Sequence, residues 1–164
     1  MMISSFYRLP IGVECFRKEG KIYVSGVKGK VVFNSVSNLY RKGNMVVILP
    51  YLTPYFNSIF KQAVQGVLLG YTIKLSLKGI GYRVLKKNNN LVFFLGYSKA
   101  VILEIPEDII VQIDKKTLFL RSANFGTLQN FATTIRRYRF PDSYKGQGVL
   151  YEGEVILCKE GKKT

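Results

Sequence analysis

Histidine is absent from the 164 residues, so general acid–base chemistry lacks its usual carrier. Nucleophilic triads lose their base for the same reason. Two cysteines, Cys15 and Cys158, make neither a disulfide framework nor a zinc ligand set, and they fit a reducing compartment. Acidic side chains number only ten. The close pairs Glu107/Asp108 and Glu152/Glu154 could share a proton or a metal, but carboxylates so placed on a turn or strand edge read more simply as solvated. No enzyme, cofactor or small-molecule substrate is expected. The longest apolar run, Met45 to Leu52, is far too short to cross a bilayer, so no membrane partner is expected either. Met1 to Pro10 has neither a signal-peptide core nor an Arg/Ser-rich transit pattern. A chain working in an organelle would therefore be made there or have lost a presequence. Alanine is scarce, with four residues, while Ile, Lys, Asn, Phe and Tyr supply 62. Those five have AT-rich codons, a coding bias that leans towards an organelle.

Against the ten acids stand 25 Lys and Arg, a net charge of +15. Residues 1–70 carry +7, residues 71–99 carry +6 with no acid, residues 100–120 carry −2 and residues 121–164 carry +4. Solubility rarely asks for more than about 8 charges on a small domain. At 48% apolar the chain has ample material for a core, so it is no disordered basic tail. A folded, non-membrane chain with this excess is most simply expected to bind a polyanion, and nucleic acid is the usual one.

The same pattern occurs twice, 96 residues apart. Leu9-Pro10-Ile11-Gly12-Val13 opens one copy and Ile105-Pro106-Glu107-Asp108-Ile109 the other; Ile22-Tyr23-Val24 falls on Leu118-Phe119-Leu120. Both copies read as two antiparallel strands joined by a polar turn, Lys18 to Lys21 in the first and Asp114 to Lys116 in the second. A Gly-containing turn is expected after each hairpin, at Gly26 to Gly29 and at Asn124 to Gly126. Each copy then has one helix. Phe56, Ile59, Phe60, Ala63, Val64 and Val67 recur at spacings of three and four, between an entry at Pro54 and a stop at Gly70. Phe125, Leu128, Phe131, Ala132 and Ile135 repeat the stripe, in a helix that must end before Pro141. Ile73, Leu75 and Leu77 alternate with polar residues as a half-buried strand, and Leu91 to Leu95 is its expected hairpin partner across the Lys86 to Asn90 turn. The fold class is α+β: two tandem similar domains, each a small, mainly antiparallel sheet covered by a helix. The expected boundaries are 1–70 for the N-terminal repeat and 71–164 for the C-terminal repeat with an RNA-binding tail.

Two glycine motifs carry no chemistry. Gly26-Val27-Lys28-Gly29-Lys30 lacks the glycine spacing and the Ser/Thr of a phosphate loop. Gly66 to Gly70 has GxxxG spacing, which means nothing outside a membrane span. The informative feature is basic and aromatic residues together. Arg136-Arg137-Tyr138-Arg139 closes the second helix, and Tyr144-Lys145-Gly146-Gln147-Gly148-Val149-Leu150-Tyr151 follows. Arg and Lys neutralise phosphates, Tyr stacks on unpaired bases, and glycines beside a lysine let backbone N–H groups approach a phosphate. The bland alternative is a cationic helix end favoured by the macrodipole, followed by an ordinary turn. The closing Lys159-Glu160-Gly161-Lys162-Lys163-Thr164 is suited to ordering on a phosphate backbone.

Pro141-Asp142-Ser143-Tyr144-Lys145-Gly146-Gln147-Gly148-Val149 resembles the C-terminal signature of the large-subunit ribosomal protein six family, of bacterial type. That pattern is Pro, an acidic residue, any residue, then Tyr-Lys-Gly-Lys-Gly and an aliphatic. Collinear matches are Leu9-Pro10 with Gly12-Val13, Gly66-Val67 to Gly70-Tyr71, Gly79-Ile80-Gly81-Tyr82-Arg83, Leu95-Gly96-Tyr97-Ser98 and Glu160 to Lys163. The resemblance spans about residues 9–164. It implies two similar α+β domains and a structural role in the large ribosomal subunit. The implied partners are large-subunit rRNA, near the sarcin–ricin loop and the factor-recruiting stalk base, and neighbouring ribosomal proteins. The RNA contact it implies is mostly C-terminal, and local chemistry together with the resemblance gives the expected contact residues: Tyr97, Ser98, Lys99, Arg136, Arg137, Arg139, Tyr144, Lys145, Gly146, Gly148, Tyr151, Lys159, Lys162 and Lys163. Gln147 departs from the signature Lys, and Ser98-Lys99-Ala100 stands where many members have Ser-His-Pro. A mitochondrial ribosome suits the coding bias and the divergent signature, with a plastid or a bacterial cytoplasm as alternatives. Outside this family, a free-standing nucleic-acid-binding module is the second reading.

Overall fold

A computed structural model describes residues 5–34, 38–42, 45–49 and 54–161, which form two compact units. Unit 1 comprises Met1–Tyr71 with Ser122–Phe125, and unit 2 comprises Thr72–Arg121 with Gly126–Thr164. Unit 1 holds strands β1 (Ser5–Arg8), β2 (Glu14–Lys18), β3 (Lys21–Gly26), β4 (Gly29–Asn34), β5 (Asn38–Lys42) and β6 (Met45–Leu49), then helix α1 (Pro54–Leu69). Its sheets run β2-β3-β4 and β1-β6-β5. The chain continues through β7 (Tyr71–Lys78), β8 (Arg83–Lys87), β9 (Asn90–Phe94), β10 (Val101–Glu104), β11 (Ile110–Asp114) and β12 (Thr117–Ser122) to α2 (Phe125–Arg137) and β13 (Gly148–Tyr151). These later strands make a four-stranded sheet, β11-β12-β7-β13, and a three-stranded one, β10-β9-β8. The architecture is α+β, with small antiparallel sheets and two helices among the described residues.

The 96-residue offset is written into the hydrogen-bond ladders. Cys15 pairs with Val24 and Arg17 with Ile22; Val111 pairs with Leu120 and Ile113 with Leu118. The correspondence extends to the approach, where the Val13 N–H donates to the Pro10 carbonyl and the Ile109 N–H to the Pro106 carbonyl. It extends to the turn as well: Glu19 and Lys115 both have φ of 51°, the left-handed conformation that two-residue hairpins need at their first central position. In both hairpins the residues facing the helix side are apolar and fully buried, Ile22 and Val24 in one, Leu118 and Leu120 in the other. Each such side chain contributes about 1.5–3 kcal/mol of burial.

The helices follow the expected stripes. Phe56, Phe60, Ala63 and Val67 are buried in the core of unit 1, and Leu128, Phe131, Ala132 and Ile135 line α2. Gly70, with φ of +75°, donates its N–H to the Gly66 carbonyl and ends α1 in the left-handed cap that glycine adopts without strain.

One strand pairing differs from the sequence expectation. Strand β9 does not pair with β7; it lies between β8 and β10, while β7 lies between β12 and β13. The physical reason is visible in the burial. Leu91, Val92 and Phe93 are all buried, as befits a strand covered on both faces, whereas β7 buries Leu75 and Leu77 in alternation. The Lys86 to Asn90 turn belongs to a β8–β9 hairpin, and β8 was obscured because Val84 is its one buried residue. Asn124 to Gly126 is not a separate turn after the second hairpin but the entry to α2, where the Asn124 N–H donates to the Ser122 hydroxyl at 3.1 Å.

The two glycine motifs acquire steric reasons. A Cβ on Gly26 would lie 2.9 Å from the Val67 carbonyl oxygen, and the neighbouring Lys28 N–H donates to that same oxygen. A Cβ on Gly66 would lie 2.0 Å from the Ala123 carbonyl oxygen, so this helix face is bare because the Ser122–Phe125 segment of unit 1 rests on it. Gly66→Ala should destabilise the protein by about 1–2 kcal/mol, the overpacking cost exceeding the helix-propensity gain of about 1 kcal/mol. Urea titration measures this, and an unchanged or raised midpoint would contradict the packing described.

Candidate nucleic-acid interface

The sequence-predicted contact residues that are described cluster in unit 2 around the C-terminal end of α2. The last turn of the helix sends its two arginines to different tasks. Arg136 makes a two-pronged ion pair with Glu154, Nη1 to Oε2 and Nη2 to Oε1 both at 2.6 Å, and its guanidinium sits 5.0 Å over the Tyr151 ring. Only 23% of each of the two charged side chains remains exposed. Burial raises the Glu154 carboxyl, but the bonds from Arg136 and from the Tyr151 N–H, together with the Arg136 charge, outweigh it and hold the group below its ordinary value. Arg136 and Tyr151 are thus occupied in clasping the C-terminal segment to the helix. Arg137 is exposed.

Arg139 lies beyond the helix end, half-buried, with its guanidinium 5.1 Å from the Tyr97 ring centre. The Tyr97 hydroxyl donates to the Tyr138 carbonyl at 2.8 Å. Tyr97 foremost, and Tyr82 with it, raise the Arg139 pKa from its ordinary value. Tyr82 explains the glycines around it: a Cβ on Gly79 would come within 2.6 Å of its buried ring, and one on Gly96 within 3.4 Å. The Gly79 to Tyr82 and Gly96-Tyr97 motifs therefore form one packing unit. It brings the exposed Tyr97-Ser98-Lys99 loop to the helix end, beside Arg139.

The Pro141 to Gly148 loop is organised by Asp142. Its carboxylate accepts the N–H groups of Tyr144 (3.1 Å) and Lys145 (3.3 Å), and its carbonyl accepts that of Gly146 (2.8 Å). Its own N–H donates to the Gln147 carbonyl at 2.9 Å. The backbone donors beside Lys145 are consequently engaged within the loop. Gly146 has φ of +62°, and a Cβ on Gly148 would lie 2.7 Å from the Pro141 Cα, so both glycines serve loop closure. What the loop offers outward is side chain: Tyr144 and Lys145 are exposed. Gly148 and Tyr151 begin and end a strand, β13, which pairs with β7 in the register Gly148↔Lys78 to Tyr151↔Leu75. Lys159 is exposed, its N–H donating to the Ser143 carbonyl at 2.8 Å; Lys162 and Lys163 lie outside the described residues.

Sequence reasoning missed Asp142 as organiser and Glu154 as clasp. An Asp in a loop, placed to accept the N–H groups two and three residues on, is a turn signal legible in the sequence. The Glu152/Glu154 pair is not merely solvated: Glu152 bonds Lys74 at 2.8 Å and Glu154 bonds Arg136. Among the described residues no cluster of His, Cys, Asp or Glu could hold a metal, and no helix is long and apolar enough to cross a membrane. The arrangement amounts to a ledge of exposed cations and rings (Tyr97, Lys99, Arg137, Tyr144, Lys145), with the half-buried Arg139 among them, on a well-packed support.

The family model described as "Ribosomal protein L6" matches residues 78–152. The "Large ribosomal subunit protein uL6" of Limosilactobacillus reuteri is 37% identical, covering 94% of this chain and 93% of its own. The protein of the same name from Rhizobium rhizogenes is 34% identical over 95% of this chain and 94% of its own. That of Mycoplasmoides gallisepticum is 42% identical over 65% of this chain and 59% of its own.

Proposed function

The chain belongs to the ribosomal protein L6 family, and from that premise we propose that it is a structural constituent of the large ribosomal subunit that binds large-subunit rRNA. It is not an enzyme; the family is structural. The contact in this reading is made near the sarcin–ricin loop and the stalk base, in support of subunit assembly and of the translation-factor site, with neighbouring ribosomal proteins as further partners. The observation that carries it is the convergence of Tyr97, Lys99, Arg137, Arg139, Tyr144 and Lys145 on one end of α2, in a chain of net charge +15. Exposed cations neutralise phosphates, and exposed tyrosines stack on unpaired bases. Arg136, Gly146, Gly148 and Tyr151 act beneath the ledge by fixing its shape, while Lys159 and the Lys162-Lys163 tail add phosphate contacts. The compartment we assign is the mitochondrial matrix, supported by the AT-rich coding bias; the relatives named above are bacterial.

Sedimentation of tagged protein in native extract tests the central reading. Co-migration with the large-subunit peak is expected, and protein found free of it would favour a nucleic-acid-binding module outside the ribosome. Protease protection in purified mitochondria tests the compartment. Gln147, half-buried in the loop, stands where the family signature has Lys. Gln147→Lys should leave affinity for an rRNA fragment unchanged or strengthen it, by up to about tenfold for one added charge-assisted contact. A filter-binding titration showing weaker binding would remove position 147 from the interface.

A further inference from the structure

The outward face of the β2-β3-β4 sheet in unit 1 carries a row of three residues in register, Phe16↔Tyr23↔Val32. The Phe16 and Tyr23 rings are stacked, with centroids 5.0 Å apart and planes 4° from parallel. Phe16 is 49% exposed and Val32 38% exposed, an unusual placement for apolar side chains at the centre of a sheet face. Lys18 and Lys21 pair in the row on one side, and Lys30 stands in the row on the other, all exposed. The one carboxylate on this face is Glu14. The Lys18–Glu19 pair at 3.9 Å, about three-quarters exposed, is too weak to neutralise Lys18.

The related hairpin of unit 2 serves as an internal control. Its ladder is the same with an offset of 96 but has a ring on only one of the two strands, so the scaffold does not require a ring pair here. At the matching positions stand Gln112 for Phe16, Phe119 for Tyr23 and Asp114 for Lys18. The Phe119 ring is half-buried and capped by the Lys74 ammonium 5.5 Å from its centre, and Lys74 is itself bonded to Glu152. The stacked pair, with Phe16 exposed, Tyr23 half-buried and lysines flanking both, therefore belongs to unit 1 alone among these two hairpins.

We propose that the Phe16–Tyr23 face of unit 1 is a second RNA-binding surface, which stacks one or two unpaired bases on its ring pair while Lys18, Lys21 and Lys30 take the flanking phosphates. The committed ligand is single-stranded RNA. Stacked flat rings at the centre of a sheet, rimmed by cations, match the π-faces and phosphates of an unpaired strand, whereas a duplex hides its base faces. An acidic protein segment would use the lysines but has no use for parallel rings. This surface belongs to unit 1 and the ledge to unit 2, and the proposal does not depend on the ribosomal reading.

The chain contains no tryptophan, so Phe16→Trp places a single reporter on the face. The test uses the full chain with Phe16→Trp, together with Arg137→Glu and Lys145→Glu to silence the other surface. Titration with a short oligouridylate should quench the tryptophan, and a duplex of equal length should not. Tyr23→Leu should weaken the oligouridylate affinity about tenfold, and Lys18→Gln with Lys21→Gln should lower the log–log salt slope by about 1.4. In the unsubstituted protein, an oligonucleotide carrying 4-thiouridine should crosslink to β2 and β3 as well as to unit 2. Absent quenching, equal quenching by duplex, quenching by polyglutamate but not RNA, or crosslinks confined to unit 2 would each overturn the proposal.

Discussion

Arg137→Glu combined with Lys145→Glu should lower affinity for a large-subunit rRNA fragment by about 10²- to 10³-fold, with no change in the denaturation midpoint. Both side chains are exposed, and the ion pairs among the described residues, Lys18–Glu19, Lys74–Glu152 and Arg136–Glu154, involve neither of them. The nearby acids are already committed, Asp142 to the loop N–H groups and Glu154 to Arg136. Each lost charge-assisted contact accounts for about 1.5–3 kcal/mol where it is desolvated, and reversal adds repulsion from the phosphates. The variant should also lose about 1.4–1.8 units of log–log salt slope, since two counterion-releasing contacts disappear. Filter binding over a salt series measures both quantities. A variant that binds as well as the parent, with the same slope, would show that the ledge faces away from RNA. Point reversals are preferable to removing residues 141–164, because that segment includes β13, whose Val149 and Leu150 are buried.

How much of this was legible in the sequence depends on the range of the physics involved. The 96-residue repeat, both helices and their buried stripes follow from local periodicity, which a one-dimensional pattern records. The β2–β3 and β11–β12 hairpins were likewise local, each closed by a two-residue turn. Strand order was not, because which strand covers β7 is settled by pairings over 40 and 70 residues, with β12 and with β13. The same division holds at the candidate site. Arg137, Tyr144 and Lys145 were recognisable from residue type and spacing. That Arg136, one residue away, is turned into an ion pair depends on where Glu154 comes to lie, 18 residues on. The glycines illustrate the point from the other side: Gly148 looked like an opening for phosphate, yet the atom it makes room for is the Pro141 Cα.

Arg136→Ala should cost about 2–3 kcal/mol of stability at neutral pH, more than its effect on RNA binding, and the cost should shrink on acidification. Removing Arg136 leaves the Glu154 carboxylate mostly buried with one remaining donor, the Tyr151 N–H, and strips the cation from the Tyr151 ring. Because 23% of each charged side chain still meets water, screening keeps the loss below the roughly 3–5 kcal/mol of a fully buried pair. The pH dependence follows from the depressed Glu154 pKa. A carboxyl whose folded pKa lies below its ordinary 4.5 contributes stability that is fully present above that value and is lost as pH falls through the folded pKa. In the variant, burial still raises the carboxyl while the Arg136 contribution is gone, so the folded pKa moves upward and acidification relieves the buried charge instead of breaking a bond. Parent and variant should therefore converge below about pH 4.5, the parent losing stability faster. Urea titrations at neutral pH and at about pH 3 measure the gap directly. A gap that stays constant across that range would mean that Glu154 is not the group Arg136 serves, and that the clasp of the C-terminal segment lies elsewhere.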